Sequence, residues 1–144
     1  MTQKALVDSN VLVGSRVEED QHFPAGREIV RALDTGELPR AIVVAPVLKE
    51  TLDFLLRKFS QGRATETLDA LQRSRGFEID YPAREEFADA RRLFRRHAGL
   101  SLADATLVAY ARRTGREYLY SFDDDFDAPD GVSRLNAPVN PFGR

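Results

Sequence analysis

Five carboxylates occupy the places where chemistry can first be read. Asp8 closes the apolar run at residues 4–8 (KALVD), and Glu50 follows the β-branched run at residues 41–45 (AIVVA) across Pro46. Asp104 stands three residues after Ser101, Asp123 follows YLYSF, and Asp125 lies two residues further on. In an open α/β sheet, ligands bind beyond the carboxyl ends of the strands, near the point where strand order reverses. Acids from four separate parts of the chain are therefore expected at one sheet edge. Convergent carboxylates suit hard divalent cations such as Mg2+ or Mn2+. Two such ions about 4 Å apart can activate a water and stabilise the leaving oxygen of a phosphodiester.

Each acid also has a local explanation. Asp104 fits a capping box with Ser101, yet it falls among Leu100, Ala103, Leu107, Val108 and Ala111, on the face expected to be buried. A charge there is costly unless it is paired or coordinates a metal. Glu50 is expected in the first turn of a helix, where the dipole favours an acid, and Asp8 can open a turn. The run Asp123, Asp125, Asp127 imitates the start of an EF-hand, but Ala128 stands where that loop needs Gly and Arg134 where it needs Glu. Asp130-Gly131 then reads as a turn, with Asp124 and Asp127 as solvated acids around it. Asp123 and Asp125 remain candidate ligands.

The elements that must position these acids alternate. Strands are expected at residues 4–8, 41–45, 77–81, 117–122 and 132–135. Helices are expected at residues 22–33, 47–59, 65–75, 84–96 and 102–113. Leu48, Leu52, Leu55 and Phe59 form one apolar stripe, and Thr114-Gly115 gives a helix stop. Alternation of this kind predicts an α/β fold with a mainly parallel sheet covered on both faces. The 144 residues, 42% hydrophobic and 31% charged, suit a single domain over 1–144.

Composition removes several chemistries. There is no Cys, so thiolate metal sites, cysteine nucleophiles and disulfides are excluded. His22 and His97 sit in polar helical contexts and read as solvated side chains. No Gly-rich phosphate loop with its lysine is present, which argues against a nucleotide triphosphatase. No apolar run approaches the ~20 residues of a membrane span, and residues 1–4 lack a secretory pattern, so a cytoplasmic location is expected. The net charge of −2 gives no bulk attraction to nucleic acid. Arginines nevertheless gather at Arg91, Arg92, Arg95, Arg96, Arg112, Arg113 and Arg116, either as solvated helix faces or as phosphate contacts.

Four segments together resemble a known family: VDSNVLV at residues 7–13, APVLKETLDFL at 45–55, LSLADATLVAYARRTG at 100–115 and LYSFDDDF at 119–126. In order and separation they resemble the PIN-domain ribonucleases, most closely the small VapC-type toxins of prokaryotic toxin–antitoxin modules. The resemblance implies a PIN-like doubly wound sheet of about five strands and an endoribonuclease dependent on Mg2+ or Mn2+. It also implies a homodimer, inhibited by an antitoxin whose tail covers the acidic pocket. Asp8, Glu50 and Asp104 match the family's three most regular acids, Asp123 the fourth, and Asp125 a further one. Asn10 and Ser121 match orienting groups, with Ser9 and Ser121 replacing the commoner threonine. Arg91, Arg95, Arg112 and Arg116 are expected to touch RNA. Two other readings stand beside this one: a PIN nuclease of RNA processing outside a toxin module, and a metal-binding interaction module that no longer cuts. A haloacid dehalogenase-like phosphotransferase would need an acid where this chain has Asn10.

Overall fold

The computed structural model describes residues 3–143. The strands β1 (Lys4–Val7), β2 (Arg40–Val44), β3 (Phe77–Asp80), β4 (Tyr118–Tyr120) and β5 (Ser133–Leu135) form one sheet in the order β3-β2-β1-β4-β5. All four pairings are parallel. The chain builds outward from β1 through β2 to β3, then returns to the other side of β1 to lay down β4 and β5. Strand order thus reverses between β1 and β4, where Val7 is paired with Tyr120.

Successive side chains of a strand point to opposite faces. Ala5, Leu6 and Val7 are all fully buried, as are Ala41, Ile42 and Val43 on β2. Both faces of the sheet centre are therefore covered, as the apolar runs predict. Burying an aliphatic side chain such as Leu6 or Ile42 contributes roughly 1.5–3 kcal/mol relative to exposure.

Helices α1 (Ser9–Arg16), α2 (Phe23–Asp34), α3 (Ala45–Lys58), α4 (Gln61–Arg73), α5 (Arg84–Arg96) and α6 (Leu102–Thr114) fill the connections. Helix α6 is buried continuously from Ala105 to Ala111, so its apolar residues do not form a single stripe. It ends at Gly115, whose φ of 72° is the left-handed cap that the Thr114-Gly115 pair predicts. Helix α5 uses Glu86 twice. One oxygen accepts from the Ala83 N–H, and the other, although the residue is only 1% exposed, pairs with Arg113 of α6.

Several expected boundaries shift, and the shifts matter for the acids. Helix α1 was not anticipated, because its VLVG core reads equally as a strand extension. Helix α3 begins at Ala45, with Pro46 in its first turn, so Glu50 lies in the second turn rather than the first. Strands β1 and β4 stop at Val7 and Tyr120, leaving Asp8 and Asp123 just beyond them. Asp8 is the N-cap of α1, and Asp123 is the N-cap of a short 3-10 turn at Asp124–Asp127. Helix α4 starts at Gln61, earlier than expected, because the Ser60 hydroxyl accepts from the Arg63 N–H and caps it.

One close approach sets the entry to β3. A Cβ built on Gly76 would lie 2.2 Å from the Leu33 carbonyl oxygen at the end of α2. The Gly76 carbonyl meanwhile accepts from the Ala41 N–H at 2.8 Å. Backbone therefore meets backbone, with no flexible side chain to yield. Replacing Gly76 with Ala is expected to destabilise the protein by about 2 kcal/mol or more through overpacking. Urea unfolding of the variant measures this, and a loss below about 0.5 kcal/mol would show that the two segments can separate freely.

Candidate metal centre

Asp8 lies at the strand-order reversal and is only 3% exposed. Its backbone N–H donates to the Tyr120 carbonyl at 3.0 Å, which continues the β1–β4 pairing for one step. One carboxylate oxygen accepts from the Ser9 N–H at 2.8 Å, and the other from the Ser121 hydroxyl at 2.7 Å. The Ser121 Oγ in turn accepts from the Asp123 N–H at 3.0 Å and from the Asn10 side-chain amide at 3.4 Å. A hydroxyl has one proton and two lone pairs, so this one is fully engaged. The Asn10 Oδ1 accepts from the Phe122 N–H at 3.2 Å. Asn10 and Ser121 thereby fasten residues 121–123 to the start of α1.

The remaining acids reach the same place from other elements. Ser9 Oγ donates to Glu50 Oε1 at 2.6 Å, which ties α3 to the start of α1. Asp104 forms the capping box that its spacing predicts: its N–H donates to Ser101 Oγ at 3.1 Å, and the Ser101 N–H donates to Asp104 Oδ2 at 3.2 Å. Carboxylate oxygens of Asp8, Glu50 and Asp104 nonetheless all lie within 4.8 Å of one another. Cap and cluster are compatible because a carboxylate offers about four acceptor positions.

Asp123, Asp124 and Asp125 make a second group within the same spread. Asp123 Oδ1 accepts from the Asp125 N–H at 3.0 Å. Asp125 is exposed and packs against the loop between α5 and α6, where a Cβ on Gly99 would stand 2.5 Å from its Oδ1. Asp124 belongs to this group, whereas Asp127 accepts from Nε and Nη2 of Arg134, both at 3.0 Å.

The electrostatics follow from crowding. Burial pushes the Asp8 carboxyl up from 3.8 to about 7; the Ser121 hydrogen bond opposes this, and the charges of Asp104 and Glu50 add to it. Asp104 is also raised, first by burial, with the bonds to Ser101 opposing and Glu50 and Asp123 adding. Asp125 is raised mainly by the charge of Asp123. Among the described residues, none of the ion pairs includes Asp8, Glu50, Asp104, Asp123 or Asp125. An oxygen-only donor set that lacks its own cation matches the preference of Mg2+ or Mn2+. Ligands about 2.1 Å from a metal stand up to roughly 4.2 Å apart across it, so oxygens within 4.8 Å of one another need close by only about half an ångström to share an ion.

The arginines expected to touch RNA are not part of this cluster. Arg91 and Arg95 are exposed on α5. Arg112 Nε donates to the Asp130 carbonyl at 2.8 Å, and Arg116 acts electrostatically on Asp80. Sequence reasoning noted Ser9 only as a replacement for threonine, without its bond to Glu50, and passed over Gly99, which leaves room for Asp125. The signal for Ser9 was its place between Asp8 and Asn10; Gly99 had none.

The family model for the PIN domain matches residues 5–132. A comparison with curated proteins returned no match. Among solved structures, the chain resembles the sarcin–ricin loop cleaving toxin VapC20 of Mycobacterium tuberculosis, with a TM-score of 0.75 and 23% identity over 95% of this chain and 99% of that one. It also resembles a chain of a toxin–antitoxin complex from Klebsiella pneumoniae, with a TM-score of 0.62 and 22% identity over 94% and 98%. A third likeness is to a chain of VapBC2 from Rickettsia felis bound to a promoter DNA fragment, with a TM-score of 0.69 and 11% identity over 92% and 97%. At these identities the likeness establishes the fold.

The Asp8 carboxyl generates a pH prediction. Its folded pKa of about 7 exceeds the 3.8 of an unperturbed Asp, so the group is protonated in both states below about pH 4. Between pH 4 and 7 the unfolded chain releases this proton and the folded chain keeps it. Stability of the metal-free protein therefore falls across that window and levels off above it, by at most about 4 kcal/mol. Urea unfolding of wild type and Asp8→Asn at a series of pH values should show the variant gaining on wild type from pH 4 to 7. A pH-independent difference would mean that Asp8 ionises normally.

Proposed function

Because this chain belongs to the PIN domain family, we propose that it is an endoribonuclease dependent on Mg2+ or Mn2+, and the toxin of a toxin–antitoxin pair. The observation that carries the reading is the convergence of Asp8, Glu50 and Asp104 within 4.8 Å without a partner cation of their own. Those three residues, with Asp123 and Asp125 beside them, would hold the metal. A bound divalent ion would supply Lewis acidity toward a phosphodiester and lower the pKa of a water. The protein's own part is placement. Ser121 holds the Asp8 oxygen in one orientation, Ser9 restrains the Glu50 side chain, and Asn10 keeps residues 121–123 against α1.

RNA contacts away from the cut are assigned to Arg91, Arg95, Arg112 and Arg116, as backbone contacts that position rather than catalyse. An antitoxin partner is supported by the likeness to chains of toxin–antitoxin assemblies, and a groove of about 320 Å3 between α1, α2 and α4 offers it a place besides the acidic centre. Leu12, Val30, Leu71 and Phe77 line it together with Arg16, Arg27 and Arg31. The same reading takes residues 1–144 as one domain of a homodimer in the cytoplasm. Among the described residues, no helix is long and apolar enough to cross a membrane.

Asp104→Asn tests the reading, since the cap can survive on the amide oxygen while a charged ligand is lost. RNA cleavage in Mg2+ or Mn2+ is expected to stop with EDTA and to be abolished in the variant. The metal-free variant should be as stable as wild type or more so, by ~1 kcal/mol, because a crowded charge is gone. Its melting temperature should rise less with Mn2+, because a ligand that binds only the folded state stabilises by mass action. A cleaving variant destabilised by a few tenths of a kcal/mol would leave Asp104 as a cap alone. Cleavage undiminished by exhaustive chelation would remove the metal mechanism.

A further inference from the structure

The imidazole of His22 and the ring of Phe122 are stacked, with centroids 4.4 Å apart and planes within 14° of parallel. Both side chains are half-buried, and Phe122 also packs against the main hydrophobic core. Phe122 belongs to a segment that also builds the acidic centre, and His22 reaches it from another element. Phe122 stands between Ser121, which donates to Asp8, and Asp123, and its own N–H is bonded to Asn10 Oδ1. His22 immediately precedes α2. Its N–H donates to Asp20 Oδ1 at 2.8 Å, and its carbonyl accepts from the Gly26 N–H at 2.7 Å. On α1, Gly14 allows the close approach, since a Cβ there would lie 3.1 Å from the His22 carbonyl oxygen. Two rings carried by different elements are thus fixed face to face, and one of them, Phe122, is next in sequence to Asp123.

We propose that the His22–Phe122 stack is a binding subsite for an unpaired RNA base next to the phosphodiester to be cut. The proposal rests on the nuclease reading above. Flat rings offer any base a π-face, and stacking of this kind strengthens binding by about ten-fold or more per base regardless of its identity. Single-stranded RNA is held largely in this way, with splayed bases stacked on aromatic or imidazole rings. The surroundings make such a contact useful. The chain has a net charge of −2 and the centre is lined with carboxylates, so phosphates are not drawn there by the protein's charge alone. The guanidinium beside the loop, that of Arg134, is committed to Asp127 and to the Ser121 carbonyl. A neutral base can approach these acids without electrostatic cost, and a ring stack at their edge gives it a place to rest.

The test uses a short single-stranded RNA carrying 2-aminopurine, whose fluorescence is quenched on stacking, titrated with the 144-residue chain in Ca2+. His22→Ala is expected to weaken binding about ten-fold and to lose the quenching, whereas His22→Tyr should restore both. The rise in melting temperature with Mn2+ should be the same in wild type and both variants, because neither removes a carboxylate. Unchanged affinity and quenching in His22→Ala would overturn the subsite, leaving the stack as packing. Equal loss in both variants would also overturn it, since a second aromatic ring would then not substitute. A wild-type protein that gains no stability from Mn2+ and binds no RNA would instead remove the nuclease reading itself. Loss of the Mn2+ effect in His22→Ala alone would show that the residue acts through the metal centre.

Discussion

Everything at the centre depends on one buried carboxylate. Asp8 lies where β1 and β4 run side by side and the strand order reverses, a position at which the two connections diverge and leave a crevice. A charged group this deep is unfavourable unless something compensates it. The Ser121 hydroxyl and the Ser9 N–H compensate in part, and the remaining penalty is visible in a carboxyl raised to about 7. Folding places this group under strain that a divalent cation would relieve, and the neighbouring acids add to the strain rather than reduce it. That is the usual relation between stability and function at an active centre.

Positions around Asp8 follow from the need to satisfy it. Ser121 can donate to Asp8 only because β4 stops at Tyr120 and the chain turns there, and that turn is held by Asn10 from α1. The DSN triplet therefore contributes three separate devices: a buried acid, a hydroxyl that restrains Glu50, and an amide that grips the opposite loop. Helix α6 supplies Asp104 from its first turn and then runs through the core from Ala105 to Ala111, so the acid is anchored by a buried helix. Asp8 is buried and Asp104 half-buried, whereas Asp124 and Asp125 are exposed.

Separate ion pairs support the fold without entering the centre. Glu86 and Arg113 join α5 to α6, and Lys4 reaches Glu78 across β2 at 2.7 Å. The Tyr110 hydroxyl donates to Asp80 at 2.5 Å and lowers that carboxyl's pKa. These cations are committed to other acids, and none of the ion pairs among the described residues reaches the acids at the reversal point.

The sequence by itself determined the alternation of apolar runs and amphipathic helices, the parallel sheet, and the identity of the acids at the strand ends. Those features are local, since β-branched runs, a Ser101–Asp104 capping pair and a Thr114-Gly115 stop act within a few residues of themselves. Helix α1 was not legible, because VLVG satisfies both a strand and a helix pattern and the choice fell to the Asp8 cap. The turn occupied by Glu50 depended on where α3 began after Pro46. Only the tertiary structure decided that Asp104 serves as both cap and cluster member, that Ser9 bonds Glu50, and that His22 lies on Phe122. These partners are separated by tens of residues and meet only because a doubly wound sheet brings the ends of β1, β2 and β4 together; pairing of this kind has no local signature in the chain.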